Sequence, residues 1–256
     1  MIVHTGLFTM TLNKQRREQI WPQRIWAWLV IPLVVMIASS AYVFADRKLE
    51  VRKGSNASQG KVLVVIGASY AKDWDIQSVG YYRVINRGNG GEETQQMLAR
   101  FDHDVIRLRP SAVLIWGFIN DIFRAPRDAI ASRQARIQSN LREMVNKANV
   151  AGIRPLLATE VLVTSPDRMW GTLLAWYGGM RGKQSYQEYV NENVRDVNKW
   201  IREFGSARNI VVLDFEHTLA GERGGRQRRY AAEDGSHLSK EAYSALTDYA
   251  ATMIVR

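Results

Sequence analysis

Four short stretches of this 256-residue chain carry the residue types that acyl transfer demands. Gly67-Ala68-Ser69 closes an apolar run with a hydroxyl, and Asn86-Arg87-Gly88-Asn89-Gly90-Gly91-Glu92-Glu93-Thr94 is a glycine-rich turn whose backbone N–H groups can face a ligand. Gly117-Phe118-Ile119-Asn120-Asp121 brings a carboxamide, and Asp234-Gly235-Ser236-His237 sets a carboxylate three places before an imidazole. Moving an acyl group through a hydroxyl needs four parts: the nucleophile, a base for its proton, a carboxylate to orient the base, and donors for the oxyanion. Each stretch alone reads first as ordinary structure. A serine after a strand is commonly a helix cap, and glycine clusters and Asn-Asp pairs are commonly turns or caps. Their joint occurrence, in this order, is what matches the chemistry.

These residues must be positioned by the elements around them. Lys61–Gly67, Tyr82–Asn86, Ala112–Trp116, Pro155–Thr159 and Ile210–Leu213 are short apolar runs of the kind that form strands buried on both faces. Between and after them, helical patterns run over about 92–104, 127–151, 184–204 and 239–254. The alternation predicts an α/β fold, a flavodoxin-like three-layer α/β/α sandwich around a five-stranded parallel sheet. Ligands in such sheets gather at the carboxyl ends of the strands. That is where three of the four stretches fall, and the fourth directly precedes the last helix.

The order Ser, Gly, Asn, His resembles the four blocks of the SGNH hydrolases, also called GDSL-type esterases and lipases. The resemblance covers roughly residues 61–254 and extends to Leu238-Ser239 and Tyr243 after the last block. It implies that Ser69 is the nucleophile, His237 its general base and Asp234 the carboxylate that orients the imidazole. It further implies an oxyanion hole built from the Ser69 N–H, the Gly91 N–H and the Asn120 side-chain amide, with neither metal nor cofactor. Gly88 and Gly90 compete with Gly91 for that role. Two departures stand out: Ala68 occupies the place of the family's aspartate, and two residues separate Gly117 from Asn120 where one is usual. A second Asp-x-x-His, Asp214-Phe215-Glu216-His217, competes for the base. It directly follows a strand, whereas the Asp234–His237 copy precedes a terminal helix as in the family.

Ahead of this domain, Ile25–Ala45 is uncharged over 21 positions, close to the roughly 20 residues that cross a bilayer core as a helix. Trp26, Trp28 and Tyr42 sit near its ends, as aromatic residues do at the headgroup level. A transmembrane anchor is the expectation, with Val43-Phe44-Ala45 leaving a cleaved signal peptide as the rival. The chain thus divides into a basic tail over 1–24, an anchor over 25–45, a linker over 46–60 and a hydrolase-like domain over 61–256. Basic residues flank the span almost equally. The expected placement, a single pass of a bacterial-type inner membrane with the domain periplasmic, therefore rests on analogy with exported anchored domains.

Eight basic and three acidic residues up to position 60 leave +5 of the formal +10 to the domain. This even split, without a stacking platform or recognition motif, argues against nucleic acid as a partner. The complete absence of cysteine excludes disulfides, cysteine-ligated metals and a thiol nucleophile. The remaining expected partner is a small-molecule or glycan ester. Two further segments bear on that substrate. Glu160–Lys183, with Met169, Trp170, Leu173, Leu174, Trp176 and Tyr177, lies where a lid or acyl-binding wall would be, or packs on the core as a helix. Arg223, Arg226, Arg228 and Arg229 form a basic loop that reads as a solvated charge run or as a seat for an anionic group. Hydrolysis, acyl transfer to a glycan, and a non-catalytic envelope module are the function classes that remain.

Overall fold

The computed structural model describes residues 60–164, 186–222 and 224–254. The expected anchor, the basic tail, most of the expected linker, the aromatic segment after Thr164 and Arg223 lie outside the described residues. Among the described residues, no helix is long and apolar enough to cross a membrane.

Strand β1 (Val62–Gly67) is followed by the short helix α1 (Ser69–Asp73), then β2 (Ser78–Val79), β3 (Tyr82–Gly88) and α2 (Thr94–Asp104). Next come β4 (Ala112–Trp116), α3 (Ile119–Phe123), α4 (Ile130–Val150) and β5 (Arg154–Ala158). After the undescribed segment follow α5 (Tyr186–Arg208), β6 (Val211–Leu213), α6 (Phe215–Thr218) and α7 (Lys240–Ile254). The strands form one sheet in the order β2-β3-β1-β4-β5-β6. All neighbours are parallel except β2 with β3.

All five expected strands are therefore present, but the sheet has six. The sixth is β2, two residues on the outer edge of β3, too short to leave a period in the sequence. The short helices α1, α3 and α6 were also illegible, for the same reason.

Alternation along β1 explains the layers. Val64 and Ile66 face the side covered by α2, α4 and α5, where Phe101, Ile137, Leu141, Met144, Val194 and Ile201 are buried. Leu63 and Val65 face α1 and α7, where Trp74, Leu246, Ala250 and Ile254 are buried. The helical stripes recur at three- and four-residue intervals, as a helix lying on a sheet requires.

The chain leaves β1 for β3 on one side, then crosses back over β1 to β4. This places the reversal of strand order, where parallel sheets open a crevice, at the carboxyl end of β1. The register closes the argument, because Gly67 pairs with both Gly88 and Trp116. The residues just beyond these three, Ser69, the turn from Asn89 to Gly91, and Asn120, are thus delivered to one edge of the sheet.

Candidate active site

Ser69 is the first residue of α1, with Ala68 as the cap. A backbone N–H in the first turn of a helix has no acceptor within that helix, so the Ser69 N–H is available to a ligand. The hydroxyl is partly exposed, and it makes no hydrogen bond among the described residues. Among the described residues, no hydrogen bond joins the Ser69 hydroxyl to His237; in unliganded enzymes such contacts are often long and tighten only when substrate binds.

The turn after β3 is set by its own side chains. Asn86 donates to the carbonyls of Ala71 (2.7 Å) and Trp74 (3.0 Å) and accepts from the Gly88 N–H (2.8 Å). Gly88 lies so close to α1 that a Cβ there would sit 2.1 Å from the Lys72 backbone nitrogen. Gly88 is thus a packing glycine, and its N–H is already used. The next N–H, of Asn89, donates to the Gly67 carbonyl at 2.9 Å. That leaves Gly90 and Gly91 as donors, and Gly91 has φ +77, a conformation that glycine adopts at little cost. Behind them Glu92 is buried, held by Arg100 and by Asn89, both at 2.7 Å. Glu93 and Gln96 form a reciprocal capping box that fixes the start of α2.

Asn120 lies in the first turn of α3 and donates to the Glu92 carbonyl at 2.9 Å. A carboxamide has two N–H bonds. Spending one on Glu92 fixes its plane and leaves the other for an incoming oxyanion. The adjacent Asp121 is fully buried and accepts from the Thr94 N–H and hydroxyl, both at 2.9 Å, while Asn140 donates to Thr94 Oγ1 at 2.9 Å. Burial pushes the Asp121 carboxyl above its ordinary value. The Asn86–Thr94 and Gly117–Asp121 stretches are therefore tied to each other by three hydrogen bonds.

Asp234 and His237 meet in one tight loop. Asp234 Oδ2 binds His237 Nδ1, and its Oδ1 accepts from the backbone N–H groups of Ser236 and His237, both at 2.9 Å. Burial works against the ionised carboxyl, but these hydrogen bonds, led by the imidazole's, outweigh it and hold Asp234 at about 2. A carboxylate can only accept, so Nδ1 carries the proton and Nε2 is left with its lone pair, the tautomer a general base needs.

The loop is fastened to α1, the helix that begins at Ser69. Tyr70 donates to the Ser236 carbonyl at 2.6 Å, its ring meets the His237 ring edge-on at 6.4 Å, and Tyr243 donates to the Tyr70 carbonyl at 3.1 Å. Beneath it lies Arg226, only 6% exposed, donating to the carbonyls of Gly235, Ser236 (3.4 Å) and His237 (3.2 Å) and to Thr164 Oγ1 (3.1 Å). The basic loop is thus no uniform solvated run. Arg226 points inward, whereas Arg229 is half-exposed and pairs with Glu241 at 3.4 Å.

The competing Asp214–His217 pair also forms, at 2.6 Å, and Asp214 is held at about 2. Burial opposes ionisation there, and hydrogen bonds from Arg202 and His217 overcome it. Arg202 grips both carboxylate oxygens, at 2.9 and 2.8 Å. This pair follows β6, at the far edge of the sheet, three strands from β1. At about 4.8 Å per strand that is roughly 14 Å, beyond the reach of an imidazole. Among the described residues, no cluster of three or more His, Asp or Glu side chains could hold a metal ion.

Two residues that sequence reasoning overlooked brace this site. Arg226 was legible only as part of a charge run. Glu160, 1% exposed, accepts from the Phe118 N–H (2.8 Å) at the start of α3, the helix carrying Asn120. Neither has a sequence signal, since both roles depend on burial by distant elements.

The profile of the GDSL-like lipase/acylhydrolase family matches residues 67–245, more than two thirds of the chain. Solved structures share the fold. A GDSL-like lipase from Bacteroides thetaiotaomicron aligns with a TM-score of 0.55 at 19% identity, over 83% of this chain and 96% of that one. A lipase/acylhydrolase from Enterococcus faecalis gives 0.54 at 20% identity, over 76% and 95%. A catalytic mutant of an acetylxylan esterase from Geobacillus stearothermophilus gives 0.56 at 15% identity, over 74% and 92%. No curated protein matches in sequence.

Proposed function

The chain belongs to the GDSL-like lipase/acylhydrolase family, a family of ester hydrolases, and from that premise we propose that it cleaves carboxylic esters through an acyl-enzyme on Ser69. His237 Nε2 takes the Ser69 proton as Oγ attacks the carbonyl carbon, and Asp234 stabilises the imidazolium that forms. The tetrahedral oxyanion is met by the Ser69 and Gly91 N–H groups and by the free N–H of Asn120. His237 then returns the proton to the leaving alkoxide, and water repeats the sequence to release the acid.

The observation that carries this reading is the Asp234–His237 hydrogen bond in a loop tied through Tyr70 to the nucleophile's helix. Ala68 in place of aspartate removes no member of the set, because neither the triad nor the oxyanion donors involve that side chain. A serine-directed fluorophosphonate should label the wild type and fail to label Ser69→Ala. Hydrolysis of p-nitrophenyl acetate and butyrate should disappear in the same variant. A wild type that neither labels nor hydrolyses would leave the chain a non-catalytic module.

The apolar span over 25–45 supports a membrane-anchored enzyme, and analogy with exported anchored domains puts its domain outside the cytoplasm, at a bacterial-type inner membrane. Exported or envelope O-acylated glycan is then a natural ester, and one of the similar folds is an acetylxylan esterase. Protease treatment of intact and lysed spheroplasts decides the placement: digestion of the domain in intact spheroplasts supports it, and protection there refutes it.

A further inference from the structure

We propose that the site selects esters bearing a negative charge close to the scissile bond, and that Lys72 reads that charge. This rests on the Ser69 hydrolase reading and adds the class of its substrate. Lys72 follows Ser69 by three positions in α1, so the two side chains stand on the same helical face. Its chain lies along the oxyanion turn, where a Cβ on Gly90 would be 3.8 Å from Lys72 Cδ and 3.9 Å from Nζ. The side chain is exposed, and its ammonium has no carboxylate partner among the described residues.

A second cation stands on the other side of the turn. Arg124 Nη2 is 3.6 Å from the place a Cβ on Gly91 would take. Its only carboxylate among the described residues is Glu93 at 3.2 Å, and Glu93 is shared with Arg133 at 2.7 Å. Two guanidinium groups on one carboxylate leave a net positive charge there. Behind the turn, Glu92 is paired with Arg100, which Asp104 shares at 2.6 Å, and Asp121 is buried against Thr94, so these acids face the protein and not Lys72 or Arg124. The turn that receives the oxyanion is thus bordered by two cationic groups. A substrate carboxylate or phosphate within reach of Lys72 would gain from this in both the ground state and the transition state.

The test compares matched esters, using the full-length chain in nonionic detergent. Mono-p-nitrophenyl succinate against p-nitrophenyl butyrate places the charge on the acyl side, and 4-acetoxybenzoate against phenyl acetate places it on the alcohol side. The measured quantity is the ratio of kcat/KM for the anionic ester to that for the neutral one, which cancels intrinsic reactivity when compared between variants. In Lys72→Met the ratio for at least one pair should fall about tenfold, as a unit charge some 6 Å away in a partly solvated site implies. Lys72→Arg should restore it, and 0.5 M salt should erode it in the wild type.

Arg107→Met is the control. It removes the same charge from an exposed position just before β4, at the opposite end of the sheet. An equal fall in Arg107→Met, or ratios that Lys72→Met leaves unmoved while neutral esters turn over, overturns the charge reading alone. No turnover together with no Ser69-dependent fluorophosphonate adduct overturns both readings.

Discussion

Asn120 and Arg226 act on the same reaction in different ways, and substitution should separate them. In the proposed mechanism Asn120 offers one N–H to the oxyanion, and in the structure it uses the other on Glu92. Asn120→Ala should therefore lower kcat on p-nitrophenyl butyrate by about 10²–10³ and leave KM little changed, because the donor is engaged chiefly in the transition state. Arg226 is buried beneath the His237 loop and has no part in the proposed proton transfers. It holds three successive carbonyls of the loop that carries His237, with its charge largely shielded from water. Arg226→Met removes a donor from all three, but the Ser236 carbonyl keeps Tyr70 and the His237 carbonyl keeps the Ala232 N–H. Only the Gly235 carbonyl is then left unpaired, a cost of about 2 kcal/mol, or roughly 4–8 °C in Tm for a domain of this size. Its kcat should fall with the loop's order. Arg226→Lys, which keeps the charge and part of the bonding, should recover more of Tm than of kcat. Differential scanning calorimetry and steady-state kinetics on the same preparations decide both points.

The elements near the site differ in how much of them the sequence could announce. β1, β4 and α4 are legible because their burial repeats with a period, and β4 spans the expected Ala112–Trp116. The helix α3 has five residues and no period. The buried carboxylate of Glu160, just beyond β5, accepts from the Phe118 N–H at the helix's start. Glu160 is accordingly the residue whose ionisation the element feels. Burial pushes its carboxyl up to about 7, against the Phe118 and Ile119 hydrogen bonds that favour the charged form. The folded state then binds the proton more tightly than the unfolded chain does, so stability falls as pH rises from about 4.5 through 7. The total loss is about 3 kcal/mol, from 1.36 kcal/mol per unit. Urea midpoints for wild type and Glu160→Gln should coincide near pH 4.5 and diverge by pH 8, with the variant more stable. The amide oxygen still accepts from Phe118, so α3 survives the change. Parallel curves across that range would show that Glu160 does not titrate there.

At the scale of the whole molecule, sheet order decides between two sequences that local reasoning could hardly separate. Asp214–His217 and Asp234–His237 have the same spacing, each forms an Asp–His hydrogen bond, and each carboxyl is held at about 2. Nothing within either tetrapeptide says which serves Ser69. Position along the chain favoured the later copy only through a family resemblance, whereas the strand order supplies the physical reason. β6 lies three strands from β1, so His217 stands roughly 14 Å from the edge where Ser69 emerges. The Asp234 loop returns across the sheet's carboxyl end and is pinned to α1 by Tyr70. Asp214, moreover, is already committed on both oxygens to Arg202, so its task is to tie α5 to the end of β6. His217→Ala should thus leave kcat/KM within about twofold and cost less than about 1 kcal/mol, as an exposed pair does. His237→Ala should remove nearly all turnover with the fold intact by circular dichroism. Loss of activity in His217→Ala with activity kept in His237→Ala would require the chain to bring β6 and β1 together by a route this sheet does not allow.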